Sequence, residues 1–198
     1  MNSYSLPSIL QVLLFLSDSI FLGSKFWVPA IFLINIFNTR LPHLNLSCLT
    51  ISANVLLLTG GVLFLAAMAI NTGKAWYSGN ESERDFVIIL VTGSHGFQFV
   101  IPIINYALLP NLMWFKNLRK SIHASFVLVI CWHLSFFLIK FLSGRSEQPY
   151  VNHASHAEFP WAEYSGKAAA FVILLTLSYI FVLKQNKSND HHAMQNKT

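Results

Sequence analysis

Four side chains with chemistry to offer stand inside apolar stretches of this chain. Asp18 interrupts the run from Val12 to Leu22. A carboxylate in hydrocarbon costs about 3 kcal/mol, so such a residue faces a bundle interior and counts as a functional hypothesis, unless it sits near a helix end and reaches water. Lys25 follows seven residues later, two helical turns on and therefore on the same face. It reads first as a snorkelling lysine and second as part of a polar seam. His95 and His133 each lie nine residues from the same end of two neighbouring apolar spans, roughly 13 Å deep at the helical rise. Two histidines at matched depth on facing helices meet one requirement for axial ligation of a b-type haem; the plainer reading is hydrogen bonding between helices. His153 and His156 offer two further imidazoles in a loop, but no third ligand stands at a recognisable spacing, so no metal site is expected.

The elements that must hold these groups belong to a bilayer. The chain has 198 residues, 54% hydrophobic and 11% charged, with 17 Phe and a mean hydropathy of +0.52. That composition excludes an ordinary soluble domain. The net charge of +5 gathers in short loops and the tail, where it sets topology and meets anionic headgroups; no nucleic-acid partner is expected. Cys48 and Cys131 fall in or beside apolar runs and give no disulfide framework. There is no phosphate-binding glycine loop, zinc-finger spacing or nucleophile elbow, and no catalytic residue is assigned. The first basic residue is Lys25 and Asp18 breaks the early apolar run, so no cleavable signal peptide is expected.

Hydropathy predicts an all-α, polytopic membrane helix bundle with five transmembrane helices, at about residues 8–37, 46–70, 86–109, 121–142 and 167–183. These form one integral membrane domain, 1–187, followed by a disordered polar tail, 188–198. Gly60, Gly61, Ala66, Ala67, Ala69 and Gly73 put small residues in the second span, which permits close helix approach. Residues 71–85, with Lys74, Glu81, Glu83, Arg84 and Asp85, make a polar break.

Five spans in about 200 residues, with Ser17 and Asp18 in the first, resemble the short bacterial form of subunit III of haem-copper respiratory oxidases. The stretch from Leu16 to Phe21 is similar to that family's Ser-acid pair followed by apolar residues, which makes Asp18 the equivalent of its intramembrane carboxylate. Leu41 and Pro42 before a long span, and Ser82 to Asp85 before the next, fit the family's layout. Gly96, Phe97 and Gln98 resemble its Gly-Leu-Gln, and His133 sits where the family has a histidine in its penultimate helix. Two stretches depart from the pattern: Val100 and Ile101 stand where an acid follows Gly-Leu-Gln, and Trp161 is followed by Ala162, Glu163, Tyr164 and Ser165 instead of the closing Trp-His-Phe motif.

The resemblance implies a non-catalytic subunit of a terminal oxidase in a bacterial plasma membrane or mitochondrial inner membrane. Such a subunit binds phospholipid and supports proton uptake. It carries no cofactor of its own; haem and copper reside in the partner, catalytic subunit I, among the other respiratory-complex subunits. Electrons then come from cytochrome c or a quinol. The alternative is a small b-type cytochrome with His95 and His133 as ligands; a transporter using Asp18 for a proton would be expected to show an internal repeat, and none is seen. Basic residues divide seven to five toward the C-terminal face, which leans to a C-terminus inside, the reverse of the family's orientation.

Overall fold

The computed structural model describes residues 9–36, 45–93, 96–143 and 161–195. Among the described residues ten helical segments follow one another and no strand occurs. α1 is Ile9–Ile36, α2 Leu46–Tyr77, α3 Glu81–Thr92 and α4 Phe97–Pro102. A π-helical turn, Ile103–Leu108, leads into α5 (Leu109–Asn111), a 3₁₀ turn (Leu112–Trp114) and α6 (Lys116–Arg119). α7 is Ile122–Ser143 and α8 is Trp161–Gln195.

Among the described residues, three helical stretches are long and apolar enough to cross a membrane: Ile9–Ile36, Leu46–Tyr77 and Trp161–Asn186. A shorter apolar helical stretch, Val100–Trp114, overlaps the end of the third expected span and runs past it, and another, Ile122–Ser135, lies within the fourth. Cross-helix contacts fix the directions. Ser17 meets Gly60 and Ser178 meets Ser52, so α2 runs against α1 and α8. Asp18 meets Lys167, and Phe171 covers Gly23, so α1 and α8 run together.

Four expectations about boundaries need correction. α2 continues to Tyr77, because Asn71 to Lys74 simply carry the helix out of its apolar part, and the polar break shrinks to Ser78, Gly79 and Asn80. Gly79 adopts φ 73°, which glycine reaches without strain. Asn80 then caps α3 by accepting from the Ser82 N–H at 3.1 Å, and Glu81 and Glu83 complement its N-terminal dipole. The expected single helix over 86–109 is interrupted at Gly93. Finally, α8 begins at Trp161 and runs to Gln195, through most of the expected tail. From Lys167 onward it contains neither Gly nor Pro, and residues such as Lys, Gln, Ala and Met carry the helix past its apolar end.

The π-helical turn has a local cause. Trp132 Nε1 on α7 donates to the Asn105 carbonyl at 2.7 Å, an acceptor that an α-helix would offer to Leu109. The Leu109 N–H bonds instead to Ile104, one residue further back, and a π register results. Pro102, with no N–H to donate, loosens the preceding turn.

The core lies where α1, α2, α7 and α8 meet, around Ile20, Val28, Leu57, Val129, Trp132 and Phe171. Among its polar groups, Ser19 and Ser52 donate back to Phe15 and Cys48 of their own helices, at 2.6 and 2.7 Å, whereas the buried Ser24 Oγ and Trp27 Nε1 of α1 find no partner among the described residues. Outside, large apolar side chains such as Ile89, Leu134, Phe141, Ile173 and Phe181 are exposed. A surface of this kind suits lipid or a partner better than water.

Candidate functional site

Asp18 is not buried. Its side chain is 54% exposed on the flank of α1, because its neighbour Ser17 takes the inward position. Ser17 is fully buried and donates to the Gly60 carbonyl of α2 at 3.2 Å. The expected interior carboxylate is therefore corrected to one in the wall of the bundle, held by a cation. Lys167 Nζ on α8 lies 3.2 Å from Asp18 Oδ2 and 2.7 Å from Glu163 Oε1, with only 17% of its side chain exposed.

Lys25 joins the same place. A pocket of about 290 Å³ is lined by Asp18, Lys25 and Lys167 together with Phe21, Phe64 and Tyr106. The two-turn spacing thus brings Lys25 beside Asp18, in the arrangement of a polar seam. Its ammonium stands 5.8 Å from the Tyr106 ring centre, within reach of a cation–π attraction. Tyr106 is placed by the π-helical turn, against Phe21 at 5.0 Å and Trp132 at 5.6 Å between ring centres. Pro29 has no N–H for the Lys25 carbonyl, so the turn carrying Lys25 lacks one helical hydrogen bond.

The arrangement can hold charge, orient a polar group and exchange a proton with Asp18. The Asp18 to Lys167 pair itself contributes little to stability, because the carboxylate is half open and Lys167 keeps Glu163. We expect a double-mutant cycle with Asp18→Asn and Lys167→Gln, read by unfolding in mixed micelles, to give a coupling below about 1 kcal/mol. A coupling of several kcal/mol would mean that the pair is a structural clamp.

The other expected residues are not gathered at this site. His133 is exposed on α7, and His95, His153 and His156 lie outside the described residues. The equal-depth argument for His95 and His133 assumed one continuous α-helix, and the break at Gly93 and the π-helical turn remove that premise. Gly96 forms a turn, donating to the Gly93 carbonyl at 2.9 Å. Gln98 lies in α4. Trp161 opens α8 and is 74% exposed. Cys48 is buried and Cys131 half-buried, both as free thiols. Among the described residues no group of three or more His, Cys, Asp or Glu is arranged to hold a metal.

Sequence reasoning missed Lys167, Glu163 and Tyr106 as site residues. Glu163 and Lys167 stand at i,i+4, a readable ion-pair spacing. Nothing local announces that α8 packs beside α1. No protein-family model matches the chain, and neither a characterised protein nor a solved structure matches it.

Proposed function

We propose that this chain is a multi-pass membrane subunit that supports a haem-copper terminal oxidase in the manner of subunit III. In this reading all five apolar runs lie in the membrane, α4 to α5 and α7 packing beside the three long helices. The observation that carries it is the Ser17 and Asp18 pair of α1. The serine locks α1 to α2 while the adjacent acid turns to the outer wall beside Lys167 and Lys25. Exposed apolar residues around an ionisable group at the bundle wall suit that face to being covered by a neighbouring chain. Haem, copper and the chemistry of oxygen reduction belong to that neighbour, and phospholipid fills the outer grooves.

The test is purification of the tagged full chain from its native membranes in mild detergent. Reduced-minus-oxidised spectra should show a haem signal that travels with a larger partner and is absent from the chain expressed alone. A b-type spectrum in the isolated chain, lost in both His95→Ala and His133→Ala, would overturn this reading in favour of the small cytochrome. In the assembled complex, Asp18→Asn should leave assembly intact while activity decays faster during turnover. An unchanged time course would remove Asp18 from the support role.

A further inference from the structure

The charges in the wall of the Asp18 pocket do not cancel. Lys167 answers Asp18 at 3.2 Å, whereas Lys25 has no carboxylate partner among the described residues and meets the Tyr106 ring. Glu163, which also holds Lys167, is 57% exposed and stands outside the wall. Two lysines against one aspartate therefore leave the wall with one positive charge in excess. An ammonium half withdrawn from water is poorly compensated by a ring alone, so the pocket favours a ligand that brings one negative charge.

The rest of the wall is largely aromatic. Phe21, Phe64 and Tyr106 touch one another, with ring centres 5.0 to 6.4 Å apart, and line the pocket beside Lys25. Such a face receives another ring edge-on or offset-stacked. Two irregular stretches of backbone also meet here. Pro29 leaves the Lys25 carbonyl without its helical N–H, and the π-helical turn carries Tyr106. In lipid, departures from the α-helix persist where they are buried in protein or line a cavity, and π-helical turns are frequent at functional sites. The volume of about 290 Å³ lies at the small end for ligand sites, roughly 300 to 1,000 Å³, and suits a single ring.

The geometry points to a small aromatic monocarboxylate, of the benzoate class, as a ligand of this pocket. Its carboxylate sits beside Lys25 Nζ and its ring lies against Phe21, Phe64 and Tyr106. A phosphate monoester brings about 1.5 to 2 negative charges and sets the surplus beside Asp18. A neutral ring leaves Lys25 unanswered. A zwitterion adds an ammonium next to a carboxylate that Lys167 already holds. The assignment stands on the residues of the pocket, and not on which complex the chain joins.

The experiment is equilibrium dialysis of the isolated full chain in maltoside micelles against radiolabelled benzoate, with empty micelles subtracted. Because no haem-bearing partner is present, its outcome is independent of the co-purification test. Benzoate should bind at one saturable site per chain, and Lys25→Gln should weaken it about tenfold, the worth of one charge-assisted hydrogen bond. Benzamide, the same ring without the charge, should displace benzoate from the unaltered chain about tenfold less well than unlabelled benzoate does. That comparison makes the charge requirement independent of any variant's folding. Cyclohexanecarboxylate, which keeps the charge and lacks the π face, should be about fivefold weaker. Phenylalanine, laurate and inorganic phosphate should each displace less well than benzoate. Absence of saturable binding, indifference to Lys25→Gln, or benzamide or cyclohexanecarboxylate as effective as benzoate would overturn the assignment. Stronger displacement by phenylalanine would give the pocket to a zwitterion, by laurate to a long-chain acid, and by phosphate to a plain anion, and any of the three would defeat it as well.

Discussion

Asn54→Ala should lower the unfolding free energy by about 2 kcal/mol, read by reversible denaturation in mixed detergent micelles. Asn54 lies in α2 with no exposed surface, yet its amide is the tie between α2 and the turn that launches α7. Its Nδ2 donates to the Arg119 carbonyl at 2.9 Å and reaches the Ser121 carbonyl at 3.4 Å, while its Oδ1 accepts from the Ser125 hydroxyl. Those two carbonyls end α6 and precede α7, where the chain reverses and has few partners of its own. Alanine removes one donor and one acceptor from a site with no water to replace them, so the cost is that of several stranded groups and not of one bond. Ser125→Ala should cost about 1 kcal/mol or less, because its carbonyl neighbours keep Asn54. The two substitutions share a network, and their effects should fall short of additivity. Loss of less than about 0.5 kcal/mol in Asn54→Ala would show that the turn is held by packing alone.

This tie also marks the limit of what the sequence discloses. Apolar length is legible residue by residue, which is why α1 and α7 fall within two residues of their expected limits. Asn54, Ser125 and Ser178 look in sequence like polar residues diluted into apolar spans; that they serve as cross-helix ties depends on pairings 71 and 126 residues apart. The same holds at the candidate site. Asp18 is conspicuous because a charge in an apolar run has an energetic cost wherever it goes, but its cation is 149 residues away. Its inward or outward direction is decided by which of two neighbours, Ser17 or Asp18, can be satisfied against α2. The small hydroxyl fits against the Gly60 carbonyl, and the carboxylate is left for the flank. The break near His95 was harder still. Gly93 alone is a weak helix breaker within apolar sequence, and the π-helical turn beyond it exists because of an indole on another helix. A depth argument built on uniform rise fails at such a place, since it counts residues and not the hydrogen bonds that set their spacing.

Substituting alanine for glycine should have opposite signs at two positions in the long helices. Gly73, in the last turns of α2, has nothing within 4 Å of where a methyl group would sit, so Gly73→Ala should stabilise the protein by about 0.5 to 1 kcal/mol through the helical preference of alanine. Gly23 in α1 has the Phe171 ring of α8 directly over it, and an added methyl would overlap three ring atoms. Phe171 is 4% exposed, and the atoms in the way are at the base of the ring, so no small movement of a flexible end relieves the overlap. Either the ring leaves its place or α8 moves off α1, and Gly23→Ala should cost about 3 kcal/mol against the gain that alanine alone would bring. Phe171→Ala should itself cost about 3 kcal/mol by opening a cavity. In the double variant the methyl enters the space the ring has left, so the combined loss should be smaller than the sum by about 2 kcal/mol. Simple additivity, or a stabilising Gly23→Ala, would mean that α1 and α8 do not meet at this pair. The parallel contact that brings Lys167 to Asp18 would then need another anchor, because Phe171 lies one helical turn beyond Lys167, as Gly23 lies a turn and a half beyond Asp18, and the two contacts stand or fall together.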